Sequence, residues 1–392
     1  MGNPMNILSM DGGNGLNTAL LLTQMESASN SKFLDNTDIF AGTSAGGINA
    51  LFFAGSESPT AALADLKTFW NNVNRSILEG LESEPTKERL ANPNIGTAAK
   101  PPDIQTVLGA AFGLSSAAIG ARSLFLNGVL KEFLRQRFGN MRLGDLQRFP
   151  VVIVTLKLDD LLTSSGTAVR SWGPKLYTNL PHNSDVSKGT VTATPNPDLN
   201  EPVVDVAMRT SAAPLELPIY QSYYGAPGQP GFVDGGLVAN NPSMITLASI
   251  VGSLAQGTAN QQPQPATETL KDITMLSVGT GRNLIGSTQY LEPEFTDGSA
   301  AWGYQKWLFD PANPMVLIDM FFQGGNESVA FQSRLLLGET NFHRVNVPIK
   351  GFLVPDDSRT AAAVANAYAW LRQSAWQKQI EAPAAIPLRR VN

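Results

Sequence analysis

The stretch from Asp38 to Ala54 limits the fold of this chain more than any other. An apolar run typical of a short buried strand leads into Gly-Thr-Ser-Ala-Gly at residues 42–46, and an apolar run typical of a buried helix follows. Gly42 and Gly46 flank Ser44, where side chains would clash in a tight turn. The arrangement predicts a nucleophile elbow that lifts the Ser44 hydroxyl clear of the backbone. Other glycine- and serine-rich turns between a strand and a helix have similar sequences, so the pentapeptide alone leaves both interpretations open.

The same order of strand, glycine turn and helix occurs one unit earlier, at residues 6–28, and the repetition predicts a parallel α/β sheet. We expect a three-layer α/β/α fold with a mostly parallel central sheet. A single domain is expected over residues 1–382, followed by a tail at 383–392. Further strands are expected at 151–156, 232–233 and 273–278, and helices at 61–74, 104–138, 203–213, 244–254 and 360–378.

Composition excludes several classes of function. The net charge is −5 and the sequence contains no basic block, so nucleic acid is not an expected partner. The absence of cysteine excludes thiolate catalysis, disulfides and cysteine zinc sites. The first residues have neither the basic nor the apolar region of a signal peptide, and no transmembrane segment stands out, so a cytoplasmic location is expected. The sequence does not indicate an oligomeric state.

A serine nucleophile needs a proton acceptor. The chain has two histidines, His182 in a loop and His343 in a strand-like stretch, and neither has a context typical of a catalytic base. Asp234 is the better candidate, because it follows an apolar pair and precedes two glycines, which places it where a strand ends at the carboxyl edge of the sheet. Asp-Gly is also a common turn dipeptide, so a structural role for Asp234 stays open.

The turn at residues 11–15, Asp-Gly-Gly-Asn-Gly, has two interpretations. A dinucleotide fingerprint would need a third glycine at position 18, where Thr18 stands, although Asp35 and Asp38 lie near the spacing for a ribose-binding acid. The second interpretation is an oxyanion hole, because consecutive glycines let backbone N–H groups point in one direction at a helix N-terminus. An elbow serine one unit later favours the oxyanion hole.

These stretches, taken in order, resemble the patatin-like phospholipase family. The glycine turn at 7–15 is similar to the family's oxyanion loop, and residues 42–46 to its elbow. Residues 210–214 are similar to its Ser-Ala-Ala-Pro block, 232–242 to its catalytic-aspartate block with Asn-Asn-Pro, and 276–281 to a strand end in Gly-Thr-Gly.

The resemblance implies a Ser-Asp dyad without histidine, metal or cofactor. Ser44 would attack an acyl ester, Asp234 would act as general base, and Gly12, Gly13 and Asn14 would supply oxyanion N–H groups. Phospholipids, lysophospholipids or related acyl lipids are the implied substrates, met by transient contact with a membrane surface.

The chain departs from the family pattern inside the oxyanion loop. Asn14 replaces a glycine, and Leu16 and Asn17 stand where Arg-Gly is usual, so a family arginine that would bring positive charge to the site is missing. Residues 75–125 match no family block, and we expect a variable excursion there, with 104–125 either a lid or a buried helix.

Two alternatives to a constitutive hydrolase stay open. One is a phospholipase effector of bacterial antiviral defence that a cyclic nucleotide activates. The other is a non-catalytic protein that binds lipid or nucleotide.

Overall fold

A computed structural model describes residues 4–29, 33–82, 127–164, 167–180, 183–185, 190–192, 196–214, 216–221, 230–256, 265–283, 302–303, 307, 316–349, 358–374 and 376. The described strands are β1 (Met5–Met10), β2 (Ile39–Thr43), β3 (Val151–Ser164), β4 (Thr167–Thr178), β5 (Asn183–Asp185), β6 (Thr190–Thr192), β7 (Gly231–Asp234), β8 (Ile273–Val278), β9 (Arg282–Asn283), β10 (Phe342–Val345) and β11 (Pro348–Ile349). The described α-helices are α1 (Gly15–Ser29), α2 (Ala45–Ala54), α3 (Pro59–Glu82), α4 (Asn127–Phe138), α5 (Val203–Thr210), α6 (Gly236–Ala239), α7 (Ser243–Gln256), α8 (Ala266–Lys271), α9 (Val316–Leu337) and α10 (Ser358–Gln373).

One seven-stranded sheet organises the molecule, in the order β10-β8-β1-β2-β3-β4, with β7 paired to β3. The pairs from β10 through to β3 are parallel, whereas β4 and β7 run antiparallel to β3. Strands β2 and β8 are buried along their whole length, which explains why their sequences are mostly apolar. The sheet is therefore mixed but mostly parallel, as predicted.

Helices cover both faces of the sheet. Alternate residues of β1 point to opposite sides, because side chains in a strand have a period of two. Leu8 and Met10 join a core cluster that includes residues of α1, α2 and α3, whereas Ile7 joins Leu247 of α7 and Ala330 of α9 on the other face. The predicted three-layer arrangement is confirmed.

The structure corrects several element boundaries. Helix α3 continues to Glu82, so the excursion expected from residue 75 begins later; its remainder, including the lid candidate at 104–125, lies outside the described residues. Strand β3 runs well past residue 156 and forms a long hairpin with β4, for which no strand was expected. Helix α5 ends at Thr210 instead of residue 213. The tail at 383–392 also lies outside the described residues.

The topology brings the glycine turns together. The ends of β1 and β2 lie side by side because Met10 pairs with Gly42, and β8 ends beside β1 because Met10 also pairs with Val278. Three loops therefore leave the sheet at one edge. They carry Asp11-Gly12-Gly13, the Ser44 turn and Gly279-Thr280-Gly281.

Candidate active site

Ser44 occupies a sharp turn between β2 and α2. Its φ is 55° and its ψ is −126°, a combination that residues with a side chain rarely adopt and that costs on the order of 1–3 kcal/mol. A Cβ atom built on Gly42 would lie 2.1 Å from the Gly46 carbonyl oxygen, and one built on Gly46 would lie 2.3 Å from the Met10 carbonyl oxygen. Both positions therefore require glycine, for the steric reason that the sequence suggested.

Thr210, the last residue of α5, holds the strained turn in place. The Ser44 N–H donates to Thr210 Oγ1 at 2.8 Å, and that hydroxyl donates to the Val154 carbonyl oxygen at 2.5 Å. Thr210 is fully buried. The Ser44 amide is thus already hydrogen-bonded inside the protein, and its hydroxyl is the part of the residue left to face the site.

Asp234 ends β7 beside the elbow. The residue is 4% exposed, and the Gly236 N–H donates to its Oδ1 at 2.7 Å. Burial raises the pKa of Asp234 to about 7, while hydrogen bonds from the Ser44 side chain and the Gly236 amide oppose the rise. A carboxyl with a pKa near neutrality can both accept and return a proton at physiological pH.

The direction of β7 explains how Asp234 reaches Ser44. Strand β3 passes the elbow at Val154, which pairs with Thr43, and continues beyond the sheet edge. Strand β7 runs back along that extension and ends with Asp234 opposite Thr155. Asp234 does stand at the carboxyl edge of the parallel strands, but it arrives there on an antiparallel strand.

The glycine loop after β1 packs against Ser44. A Cβ atom built on Gly12 would lie 3.0 Å from Ser44 Cβ, and Gly13 has a φ of 125°, which only glycine adopts readily. The Gly12 N–H donates to the Asn240 carbonyl oxygen at 3.0 Å, so it is occupied and is not a free oxyanion donor. Within the described part of the chain, the N–H groups of Gly13 and Asn14 make no hydrogen bond.

The unusual Asn14 caps helix α1. Its Oδ1 accepts the N–H of Asn17 at 3.1 Å, the geometry of an asparagine N-cap, which stabilises a helix by about 1 kcal/mol relative to alanine. Asn17 in turn donates from Nδ2 to the Thr280 carbonyl oxygen at 3.0 Å. The two asparagines that depart from the family pattern therefore fasten the loop to α1 and to the turn after β8.

The histidines do not complete a triad in the described structure. His343 lies on β10, where its ring stacks on Trp370 at 5.3 Å and burial lowers its pKa. His182 lies outside the described residues. Asp35 and Asp38, considered for a ribose contact, bind Thr60 N and Asn6 N at 2.9 and 2.7 Å, near the start of β1 and away from the glycine loop at its other end.

A family model described as patatin-like phospholipase matches residues 8–247. The chain belongs to the patatin-like phospholipase family. Patatin-like protein 2 of Arabidopsis thaliana is 25% identical to it over 365 residues, which cover 88% of this chain and 76% of that protein. A cGAMP-activated phospholipase of Pseudomonas aeruginosa is 27% identical over 363 residues, covering 91% and 81%. The solved structure of VipD from Legionella pneumophila covers 97% of this chain and 67% of VipD, with a TM-score of 0.36 and 12% identity.

Two further observations concern the part of the chain that the structure describes. No helix among the described residues is long and apolar enough to cross a membrane. Where side chains are described, no group of three His, Cys, Asp or Glu residues could hold a metal ion.

Sequence reasoning missed three residues around the patatin-like site. Thr210 and Asn240 lie inside blocks that the sequence singled out, so their place beside the site could have been anticipated, although their partners could not. Arg344 forms an ion pair with Asp11 from 333 residues away. No local signal marked it.

Proposed function

We propose that this protein is a serine lipid acyl hydrolase of the phospholipase A or lysophospholipase type, with Ser44 as nucleophile and Asp234 as general base. One juxtaposition carries the proposal. The Ser44 side chain, on a strained elbow, lies beside the buried Asp234 carboxyl and lowers its pKa, which burial nevertheless raises to about 7. An aspartate tuned in this way performs the proton transfers for which many serine hydrolases use histidine.

The acylation half-reaction follows from these positions. Asp234 takes the hydroxyl proton as Ser44 Oγ bonds to the ester carbonyl carbon, and the carbonyl π electrons move to oxygen. The N–H groups of Gly13 and Asn14 then donate to that oxygen, reinforced by the N-terminus of α1. The intermediate collapses, the bond to the leaving alcohol breaks, and Asp234 returns its proton to the alcohol oxygen.

Deacylation repeats the same proton movements with water. Asp234 accepts a proton from water as the water oxygen attacks the acyl carbon. The bond to Ser44 Oγ breaks, Oγ recovers the proton, and a fatty acid leaves. The proposed steps need no metal or cofactor.

Exposed apolar side chains beside the dyad support a lipid substrate. Leu237 and Val238 follow Asp234 on α6 and are 48% and 41% exposed. Gly236 packs near the Phe322 ring of α9, and the neighbouring Phe321 is 71% exposed. Apolar surface of this kind suits contact with acyl chains at a membrane surface.

The test is release of fatty acid from phosphatidylcholine and lysophosphatidylcholine vesicles. We expect Ser44→Ala to reduce release to background and Asp234→Asn to reduce it by about 10²-fold or more, the usual contribution of a general base. Ser56→Ala is the matched control, since Ser56 is a half-buried serine just beyond the other end of α2. Release that persists in Ser44→Ala would contradict the proposal, and absence of release by the wild type would favour a non-catalytic lipid-binding role.

A second candidate function is regulation of the same hydrolase by a cyclic nucleotide. The observation that favours it is the 27% identity to the cGAMP-activated phospholipase of Pseudomonas aeruginosa over most of both chains. We expect addition of a cyclic dinucleotide to stimulate vesicle hydrolysis if this regulation operates. Unchanged rates across a panel of cyclic di- and trinucleotides would contradict this regulation and favour a hydrolase that is active without a nucleotide.

A further inference from the structure

A buried ion pair lies directly beneath the proposed oxyanion loop. Arg344 Nη2 contacts Asp11 Oδ2 at 2.6 Å, and Arg344 Nη1 contacts Asp11 Oδ1 at 2.8 Å. The two side chains are 6% and 1% exposed. This two-point contact matches the fork of the guanidinium to the carboxylate, which fixes direction as well as distance.

The sheet register explains how a residue of β10 reaches β1. Arg344 pairs with Ser277 of the intervening strand β8, and Ser277 pairs with Ser9. These side chains share one face of the sheet, so the arginine lies across β8, donates to Ser277 Oγ at 3.0 Å, and meets Asp11 just beyond the end of β1. Ser243 at the start of α7 hydrogen-bonds both Ser9 and Ser277.

Asp11 is the residue at which the loop and the elbow meet. Its own N–H donates to the Val278 carbonyl oxygen at 3.0 Å, and Gly12 and Gly13 follow directly. A Cβ atom on Gly46 would lie 2.5 Å from the Asp11 carbonyl oxygen, so the elbow packs against the Asp11 backbone. A shift of Asp11 would therefore change both the direction of the loop amides and their distance from Ser44.

The Asp11 carboxylate depends on Arg344 to stay ionised and oriented. Burial raises the pKa of Asp11, the Glu327 charge from α9 raises it further, and the charge and hydrogen bonds of Arg344 oppose both effects. Without the arginine, a carboxyl at this depth loses its compensation and takes up a proton. The two contacts that orient it are then lost.

We propose that Arg344 is a positioning residue for the hydrolase, which holds Asp11 and so aims the Gly13 and Asn14 N–H groups at the oxygen of the acyl group attacked by Ser44. The inference rests on the proposed function. It gives this chain a cation at the loop although Leu16 stands at the arginine position of the motif. It also gives a role to β10, which lies beyond residues 8–247.

The experiment measures the second-order rate at which a fluorophosphonate labels Ser44, together with kcat and KM on a soluble p-nitrophenyl ester. In labelling, Oγ gives its proton to Asp234 and bonds to phosphorus, fluoride leaves, and the P=O oxygen occupies the oxyanion position. We expect Arg344→Gln to slow labelling and lower kcat by about 10²-fold, the cost of losing or misplacing an oxyanion donor. KM should stay within about threefold, because the donors act mainly in the transition state.

Two further readouts separate positioning from charge and from folding. Arg344→Lys keeps the charge without the fork, so we expect kcat to remain about tenfold below wild type. The pH midpoint of labelling, which the proposed mechanism assigns to Asp234, should stay near 7 in both variants. Lys175→Gln is the control for folding, because it breaks an ion pair of a half-buried lysine with the buried Asp198 carboxylate, at 2.7 Å. It should lower the thermal midpoint without changing the labelling rate.

The outcomes distinguish this inference from the function on which it rests. A wild-type protein that does not label at Ser44 overturns both. Wild-type labelling with an equal rate in Arg344→Gln overturns the role of Arg344 alone, as does full recovery in Arg344→Lys or a shifted pH midpoint with an unchanged plateau. A slow but folded Arg344→Gln variant supports the inference.

Discussion

At the scale of single residues, the buried position of the Asp234 carboxyl lowers the stability of the folded protein. Its carboxyl is buried and its pKa is raised to about 7, against 3.8 in an unfolded chain. The folded state therefore holds its proton more tightly than the unfolded state, and this contribution to stability is lost as pH rises towards 7. Each unit of pKa corresponds to about 1.4 kcal/mol, so the cost at pH 8 is up to about 4 kcal/mol.

The substitution Asp234→Asn should therefore stabilise the protein while it removes the proposed general base. At pH 8 we expect its free energy of unfolding to exceed that of the wild type by about 2–4 kcal/mol. The difference should shrink towards pH 4, where the folded-state carboxyl is protonated and the unfolded-state carboxyl, with a pKa of 3.8, is close to half protonated. Denaturant unfolding at both pH values measures this, with the exposed Glu268→Gln as control. A variant that is less stable than wild type at pH 8 would contradict the raised pKa.

At the scale of elements, the elbow is held by a helix that is distant in sequence. The C-terminal end of α5 supplies Thr210, which satisfies the Ser44 N–H and the Val154 carbonyl together. The peptide groups just beyond α5 also bind the end of β7, since Asp234 N donates to the Ala212 carbonyl oxygen at 2.9 Å. One chain segment thus holds both members of the proposed dyad.

Replacing the Thr210 hydroxyl tests this linkage. Thr210→Val keeps the volume but removes the hydrogen bonds that the hydroxyl makes with the Ser44 N–H and the Val154 carbonyl oxygen, so we expect a loss of about 2 kcal/mol in unfolding free energy. The strained Ser44 turn should also relax, and fluorophosphonate labelling should slow by about tenfold or more. Thr210→Ser retains the hydroxyl and should behave nearly as wild type. Equal labelling rates in Thr210→Val and Thr210→Ser would contradict the claim that the Thr210 hydroxyl holds the Ser44 turn.

At the scale of the whole molecule, the site is completed by strands near both ends of the chain. Strand β8 pairs with β1 and β10 pairs with β8, so the strand that leads into the glycine loop is flanked by strands from the last third of the chain. Although the family model ends at 247, we expect a chain truncated after Gln256 to lose cooperative thermal unfolding, because β1 would become an apolar edge strand. A truncated protein that unfolds cooperatively and labels at Ser44 would show that the later strands are dispensable.

Sequence alone could predict much of this architecture, but only the parts encoded locally. Strands β1 and β8 were predictable because both faces are buried and their sequences are mostly apolar. The antiparallel direction of β7 was not, since strand direction depends on its partner β3. The Asp11–Arg344 pair depends on a register across three strands, and a residue spacing of 333 carries no local pattern.

The candidate site divides in the same way. Ser44 and Asp234 could be proposed because glycine requirements mark their turns in the sequence. The sequence could not predict that the Gly12 N–H donates to the Asn240 carbonyl oxygen. This contact depends on how the loop around residue 240 packs on the glycine loop. The role of Asn14 as a helix cap also follows only once the start of α1 is known.

The most direct test of the central claim is the pH dependence of Ser44 labelling by a fluorophosphonate, in the wild type and in Asp234→Asn. With Asp234 as the base, the wild-type rate should rise about tenfold per pH unit below a midpoint near 7 and level off above it. In Asp234→Asn that midpoint should disappear and the plateau should fall by about 10²-fold. A midpoint near 7 that persists in Asp234→Asn, or a label mapped to a serine other than Ser44, would contradict the Ser44–Asp234 dyad.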